Sequence, residues 1–108
     1  MAMNDIYAES EPGRAEVDAL PGNVLLEFGA PWCEHCQAAQ PLLAEALRGQ
    51  PVHHLKIEDG PKRRLGRSFK VKLWPTLILL RNGHEIARSV RPTDVREIHA
   101  LLQGMDAQ

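Results

Sequence analysis

Two nearly unbroken apolar runs constrain this chain most: Val24-Leu25-Leu26-Glu27-Phe28 and Thr76-Leu77-Ile78-Leu79-Leu80. A strand with one face in water alternates apolar and polar residues, whereas a run that is apolar at almost every position needs cover on both faces. Pro21-Gly22-Asn23 precedes the first run and Asn82-Gly83 follows the second, so each is bounded by turn chemistry. Helices must then lie on both sides of a sheet. From Cys36 onward, Ala39, Leu42, Leu43, Ala46 and Leu47 form one stripe of an amphipathic helix over 37–47, which stops at Gly49 before Pro51. Pro41 stands inside it, removes a backbone donor and is expected to kink it about one turn in. Val95, Ile98, Leu101 and Leu102 form a second stripe, with Thr93 or Asp94 as N-cap and Gly104 just past the end.

Between these landmarks, 52–57 reads as a strand and 61–68 as a short basic helix opened by Gly60-Pro61. Asn82-Gly83 supplies the two positive-φ residues of a type I′ turn, pairing 76–80 antiparallel with an imperfectly alternating strand over 85–90. Near the start, Ile6 and Tyr7 mark a short strand and 11–20 a short helix. The reading is an α/β fold, βαβαββα, with a central mixed sheet flanked by helices on both faces. At 108 residues the chain has room for one domain, 1–108, and for one compact site.

Thirteen Lys and Arg against fourteen Asp and Glu leave a formal net charge of −1, so neither nucleic acid nor a membrane surface is the expected partner. No run approaches the roughly 20 apolar residues that span a bilayer. Asp5, Glu9, Glu11, Glu16 and Asp18, with no basic start or long apolar stretch, are the pattern expected of a cytoplasmic chain. A monomer is the default expectation. Six of the basic residues lie between Lys62 and Lys72, either as a docking patch for an acidic partner or as a solvated helix face.

The only two cysteines, Cys33 and Cys36, are separated by two residues. A disulfide closing so small a loop constrains little of the unfolded chain, which leaves redox chemistry or metal ligation. The pair lies where the 24–28 strand gives way to the helix. A helix N-terminus offers unpaired N–H groups and roughly half a positive charge, so a thiolate at Cys33 is favoured there. Cys36, one turn in, is expected to be more buried. Cys33 would attack a disulfide and Cys36 would resolve the mixed disulfide, with no cofactor beyond the Cys33–Cys36 disulfide itself. A metal site on Cys33, Cys36, His35 and another His is the alternative, disfavoured because structural zinc normally takes four ligands from separate segments and no second CxxC exists. A redox-silent interaction module is a third reading.

Phe28-Gly29-Ala30-Pro31-Trp32-Cys33-Glu34-His35-Cys36, Pro41 five residues later, Trp74-Pro75-Thr76 and Asn82-Gly83 stand in register with this element order. Together they resemble the thioredoxin family over nearly the whole chain. The resemblance implies a thioredoxin fold, a dithiol/disulfide site at Cys33 and Cys36, and a cis bond before Pro75 that presents backbone to an extended substrate segment. It further implies disulfide-containing client proteins, a reductase direction, and a thioredoxin reductase or glutathione as recycling partner. The family has a buried Asp six residues before the first cysteine, and here that position is Glu27. Flanked by Leu26 and Phe28, Glu27 is placed to serve as base for the Cys36 thiol, unless it reaches solvent at the strand end. The family's lysine on the next strand maps onto His54, which either alters the proton network or is a surface strand residue.

Departures from the family fall around the same site. Glu34-His35 replaces Gly-Pro between the cysteines, and a His before the second cysteine resembles the more oxidising members, such as protein disulfide isomerase. A protonated His35 would stabilise the Cys33 thiolate and Glu34 would oppose it, so Trp32, Glu34, His35 and His54 are the expected tuning residues. Arg91 stands where the family's groove has a Gly, Trp74 adds an aromatic wall, and Gly29 replaces a Trp. The expected groove, Trp74, Pro75, Thr76 and Arg91, suits clients whose acidic residues pair with Arg91, unless Trp74 and Arg91 only pack on each other. Phe69 and Val71 are expected beneath the Trp74-Pro75 loop.

Overall fold

The computed structural model describes residues 3–106. In chain order the elements are α1 (Arg14–Asp18), β1 (Asn23–Gly29), α2 (Glu34–Leu47), β2 (His53–Glu58), α3 (Leu65–Ser68), β3 (Thr76–Arg81), β4 (His84–Val90) and α4 (Val95–Leu102), followed by a 3₁₀ turn, Gln103–Asp106. The sheet order is β2-β1-β3-β4, with β1 parallel to β2 and antiparallel to β3, and β3 antiparallel to β4. The two apolar runs are thus the inner strands. Alternation along β1 divides the core: Val24, Leu26 and Phe28 join Ile57, Ile78 and Leu80 under Val17 of α1 and Leu65 of α3. Leu25 joins Leu77 and Leu79 under Leu43 and Leu47 of α2 and Ile98, Leu101 and Leu102 of α4. Each buried Leu, Ile or Phe side chain contributes about 1.5–3 kcal/mol by leaving water, so this pattern fixes which residues of β1 face which helix.

Several expectations change in detail. Ile6 and Tyr7 form no strand: the segment is irregular, Ile6 is 70% exposed, and Ala8 N–H donates to Lys56 O at 2.9 Å. α1 begins only at Arg14 because Pro12 and Gly13 hold the preceding backbone extended, with Glu16 accepting from Gly13 N–H at 2.9 Å. α3 is one turn rather than a helix over 61–68. Lys62 adopts φ 68, and the Glu11 carboxylate accepts from the N–H groups of Arg64 and Leu65 at 3.1 and 3.0 Å. The acidic start and the basic run therefore meet at the opening of α3. α2 starts at Glu34 and continues through Pro41 to Leu47.

Asn82 and Gly83 have φ 49 and 84, as the hairpin requires. The imperfect alternation of β4 is a bulge: Leu79 pairs with Ala87 but Leu80 with Glu85, leaving Ile86 as the extra residue. Asp94, not Thr93, caps α4 by accepting from Arg96 N–H at 2.7 Å. Gly104 is no left-handed cap; it lies in the 3₁₀ turn, where a Cβ would stand 2.8 Å from Ile86 Cγ2. Phe69 belongs to the core on the α1/α3 face, its ring centroid 5.9 Å from that of Phe28, and Val71 packs against that cluster.

Candidate active site

Period two along β1 puts Glu27 on the same face as Leu25, directly under α2. Parallel pairing sets His54 across from Leu25 and Lys56 across from Glu27, so both basic side chains reach the same face. Gln40, one turn beyond Cys36 on α2, closes the group from above. Glu27 is fully buried. Its Oε1 accepts from His54 Nε2 at 2.9 Å and its Oε2 from Gln40 Nε2 at 2.9 Å, while Lys56 Nζ stands 3.9 Å from Oε2. Lys56 Nζ donates to Gln40 Oε1 at 2.7 Å, and Gln40 Nε2 also donates to Cys36 O at 2.9 Å. On the far side, Asn4 N–H donates to His54 Nδ1 at 2.8 Å, which assigns the ring hydrogen to Nε2 and makes His54 the donor to Glu27.

Three expectations are corrected here. His54 is not a surface residue: only 2% of it is exposed. Nor does it replace the lysine expected on the neighbouring strand, because Lys56 stands opposite Glu27 and His54 is an additional member. Glu27 does not reach solvent.

Cys33 is the N-cap of α2, and its Sγ accepts from Cys36 N–H at 3.1 Å. Both cysteines are free thiols, Cys33 half-buried and Cys36 2% exposed. Burial pushes the Cys36 thiol from the ordinary 9.0 up to about 12; its contact with Cys33 and the nearby Glu27 charge add to this, and a backbone hydrogen bond to Ala30 partly opposes it. A Cβ on residue 29 would stand 2.5 Å from Cys36 Sγ and 3.4 Å from the Tyr7 hydroxyl, so only Gly fits beside the sulfur. Tyr7, with Lys56 Nζ 4.8 Å from its ring centroid, thus borders the site from the N-terminal segment. Burial first, then the neighbouring Cys36 and Glu27, hold its phenol well above the ordinary range.

The Trp74–Pro75 bond is cis, and Cys33 Sγ lies 4.0 Å from Trp74 O. Arg91 Nε donates to the same oxygen at 2.8 Å, and Arg91 N–H donates to Pro75 O at 2.9 Å. Trp74 and Arg91 therefore meet through main chain rather than by packing ring on guanidinium. The indole N–H instead donates to Asp59 Oδ2 at 2.9 Å. Thr76 is buried and its hydroxyl donates to Leu73 O at 2.6 Å. Trp32, 66% exposed, and the exposed Glu34 and His35 project from the mouth of the site. Among the described residues, no group of three or more His, Cys, Asp or Glu is placed to hold a metal ion.

Tyr7, Gln40, Lys56 and Asp59 were not singled out from the sequence. Two of them carried a signal: Gln40 follows Cys36 at i+4, and Lys56 shares the strand face of His54. Tyr7 and Asp59 come from irregular segments, where spacing predicts no neighbour.

A thioredoxin family model matches residues 9–105. The chain belongs to the thioredoxin family. It is 54% identical to thioredoxin 2 from Pseudomonas aeruginosa PAO1, solved in its reduced form, with a TM-score of 0.84 over 95% of this chain and 96% of that one. It is 39% identical over 83 residues to a thioredoxin of Chlamydia trachomatis, covering 75% of this chain and 80% of that protein. A thioredoxin domain-containing protein of Theileria parva is 36% identical over 73 residues, 65% of this chain. The chain spans a third or less of the length of this and other long relatives. Family members are thiol–disulfide oxidoreductases, and Cys33–Cys36 is a CxxC pair of that kind.

Proposed function

We propose that this thioredoxin-family chain reduces disulfide bonds in proteins, with Cys33 as nucleophile, Cys36 as resolving cysteine and Glu27 as the base that serves Cys36. The Cys33 thiolate attacks one client sulfur, forming a mixed disulfide and releasing the client's other thiolate, which takes up a proton. Cys36 then loses its proton, attacks the Cys33 sulfur and expels the second client thiolate. The client gains two electrons and the chain is left as the Cys33–Cys36 disulfide. What carries this reading is the inequality of the two sulfurs: one at the helix opening beside the cis-Pro loop, the other buried beside Glu27. A redox-silent module has no use for a buried carboxylate there.

Disulfide-bearing clients and recycling by a thioredoxin reductase or glutathione complete the proposal, on the strength of the family. A redox titration of Cys33–Cys36 against a glutathione or dithiothreitol buffer tests it. The expected result is one reversible two-electron transition near about −270 mV, as in thioredoxin. A value near about −180 mV, in the isomerase range, would contradict the reductase direction, and the absence of any reversible transition would overturn the activity. Cys33→Ser is expected to abolish turnover, and Cys36→Ser to accumulate the mixed disulfide with client, read by mass spectrometry.

A further inference from the structure

Arg91 is an unusual residue for the place it occupies. It takes φ 51, a left-handed conformation that disfavours a side chain, and its backbone N–H and Nε are both spent on the cis-Pro loop, at Pro75 O and Trp74 O. These bonds fix the guanidinium against Trp74 O, the same oxygen that lies 4.0 Å from Cys33 Sγ. The nucleophilic sulfur and the cationic fork therefore flank one carbonyl.

The guanidinium is also uncommitted. Arg14, Arg63, Arg88 and Arg96 each pair with a carboxylate, but among the described residues Arg91 has no acidic partner and its two Nη groups make no hydrogen bond. Half-buried, with its Nε anchored, it has already lost much of the side-chain entropy that makes surface ion pairs weak. A fork held this way matches a carboxylate, which it can take through two parallel N–H donors.

The same place has an electrostatic need for it. A carboxylate close to a client disulfide repels an incoming thiolate, and the exposed Glu34 beside Cys33 adds to that repulsion. A fixed cation on the same loop carbonyl that borders the sulfur reverses the sign locally. Resting on the disulfide-reductase reading above, we propose that Arg91 is a specificity residue that binds the side-chain carboxylate of an Asp or Glu adjacent to the client cysteine attacked by Cys33. The chain thereby selects disulfides in acidic segments over neutral ones.

The test uses two disulfide-linked peptides, acetylated and amidated at their ends, that differ only by Glu or Gln beside the cysteine. Each is reduced by the full chain with dithiothreitol as the electron source, and kcat/KM is measured for both. The wild-type chain is expected to favour the Glu peptide about fivefold, the scale of one ordered ion pair. In Arg91→Gln that ratio falls to about one, and in Arg91→Lys, which keeps the charge without the fork, it lies between. A purely structural role for Arg91 would lower both rates together and leave the ratio untouched, which overturns the inference, as does a wild-type ratio of one. Failure of the wild-type chain to reduce even the Gln peptide would instead overturn the reductase reading beneath it.

Discussion

Both faces of β1 are buried, yet they are made of different material. On the α1/α3 side, Val24, Leu26 and Phe28 meet an apolar cluster throughout. On the α2/α4 side, Leu25 does the same, but two residues on Glu27 meets His54, Gln40 and Lys56. One strand therefore holds a dry face and, one residue away, a buried carboxylate whose removal from water costs several kcal/mol unless donors compensate it. Hydrogen bonds from His54 and Gln40 and the nearby Lys56 ammonium supply that compensation. The opposite face of the same strand is closed by apolar side chains alone. The polar group is confined to the end of the sheet under Cys36, which argues that chemistry rather than stability keeps it there.

This contrast can be broken or sharpened by substitution. The largest effect is expected at Glu27→Gln, which keeps the size and removes the base: release of client from the mixed disulfide should slow by about 10²–10⁴-fold, the usual range for a lost general base. Stopped-flow thiol release measures it, and an unchanged rate would erase the distinction between the faces. Phe28→Ala, on the dry face, should cost about 3–5 kcal/mol in denaturant unfolding while the folded molecules keep their reduction potential. A shifted potential there would mean that the dry face also tunes the site. Smaller still, Gly29→Ala forces a Cβ to within 2.5 Å of the Cys36 sulfur and should cost about 1–3 kcal/mol in the reduced protein by overpacking. Thermal unfolding of the reduced protein reads that loss, and unchanged stability would show the sulfur free to move.

The layered fold was legible because the two apolar runs and the stripes of α2 and α4 are long and strongly periodic. Cys33, Cys36, Glu27 and the cis Trp74–Pro75 bond were legible because motif and spacing tie them to those elements. Boundaries at Pro12-Gly13 and Pro61-Lys62 were not, since proline and glycine there serve turns before the helices rather than their first residues. The bulge at Ile86 showed only as a broken alternation. The lysine was assigned to His54 because strand spacing alone cannot fix the register of a parallel neighbour, and the pairing puts Lys56 opposite Glu27. Asn4 and Tyr7 reach the site across a non-local contact from an irregular segment, which no local periodicity encodes.

The proposed mechanism turns on a Cys36 thiol that burial holds protonated and that Glu27 is proposed to deprotonate during resolution. Because the folded value is raised from 9.0 to about 12, the folded state retains a proton that the unfolded chain has lost in that interval. The resulting stabilisation of the reduced protein is present in full below about pH 9 and is lost as pH rises toward 12. The most direct measurement is the pH titration of the Cys36 Cβ resonance in the reduced, isotopically labelled protein. A shift that stays flat through neutral pH and turns only near about 12 is expected; a midpoint at or below 9.0 would contradict the separation of the two sulfurs.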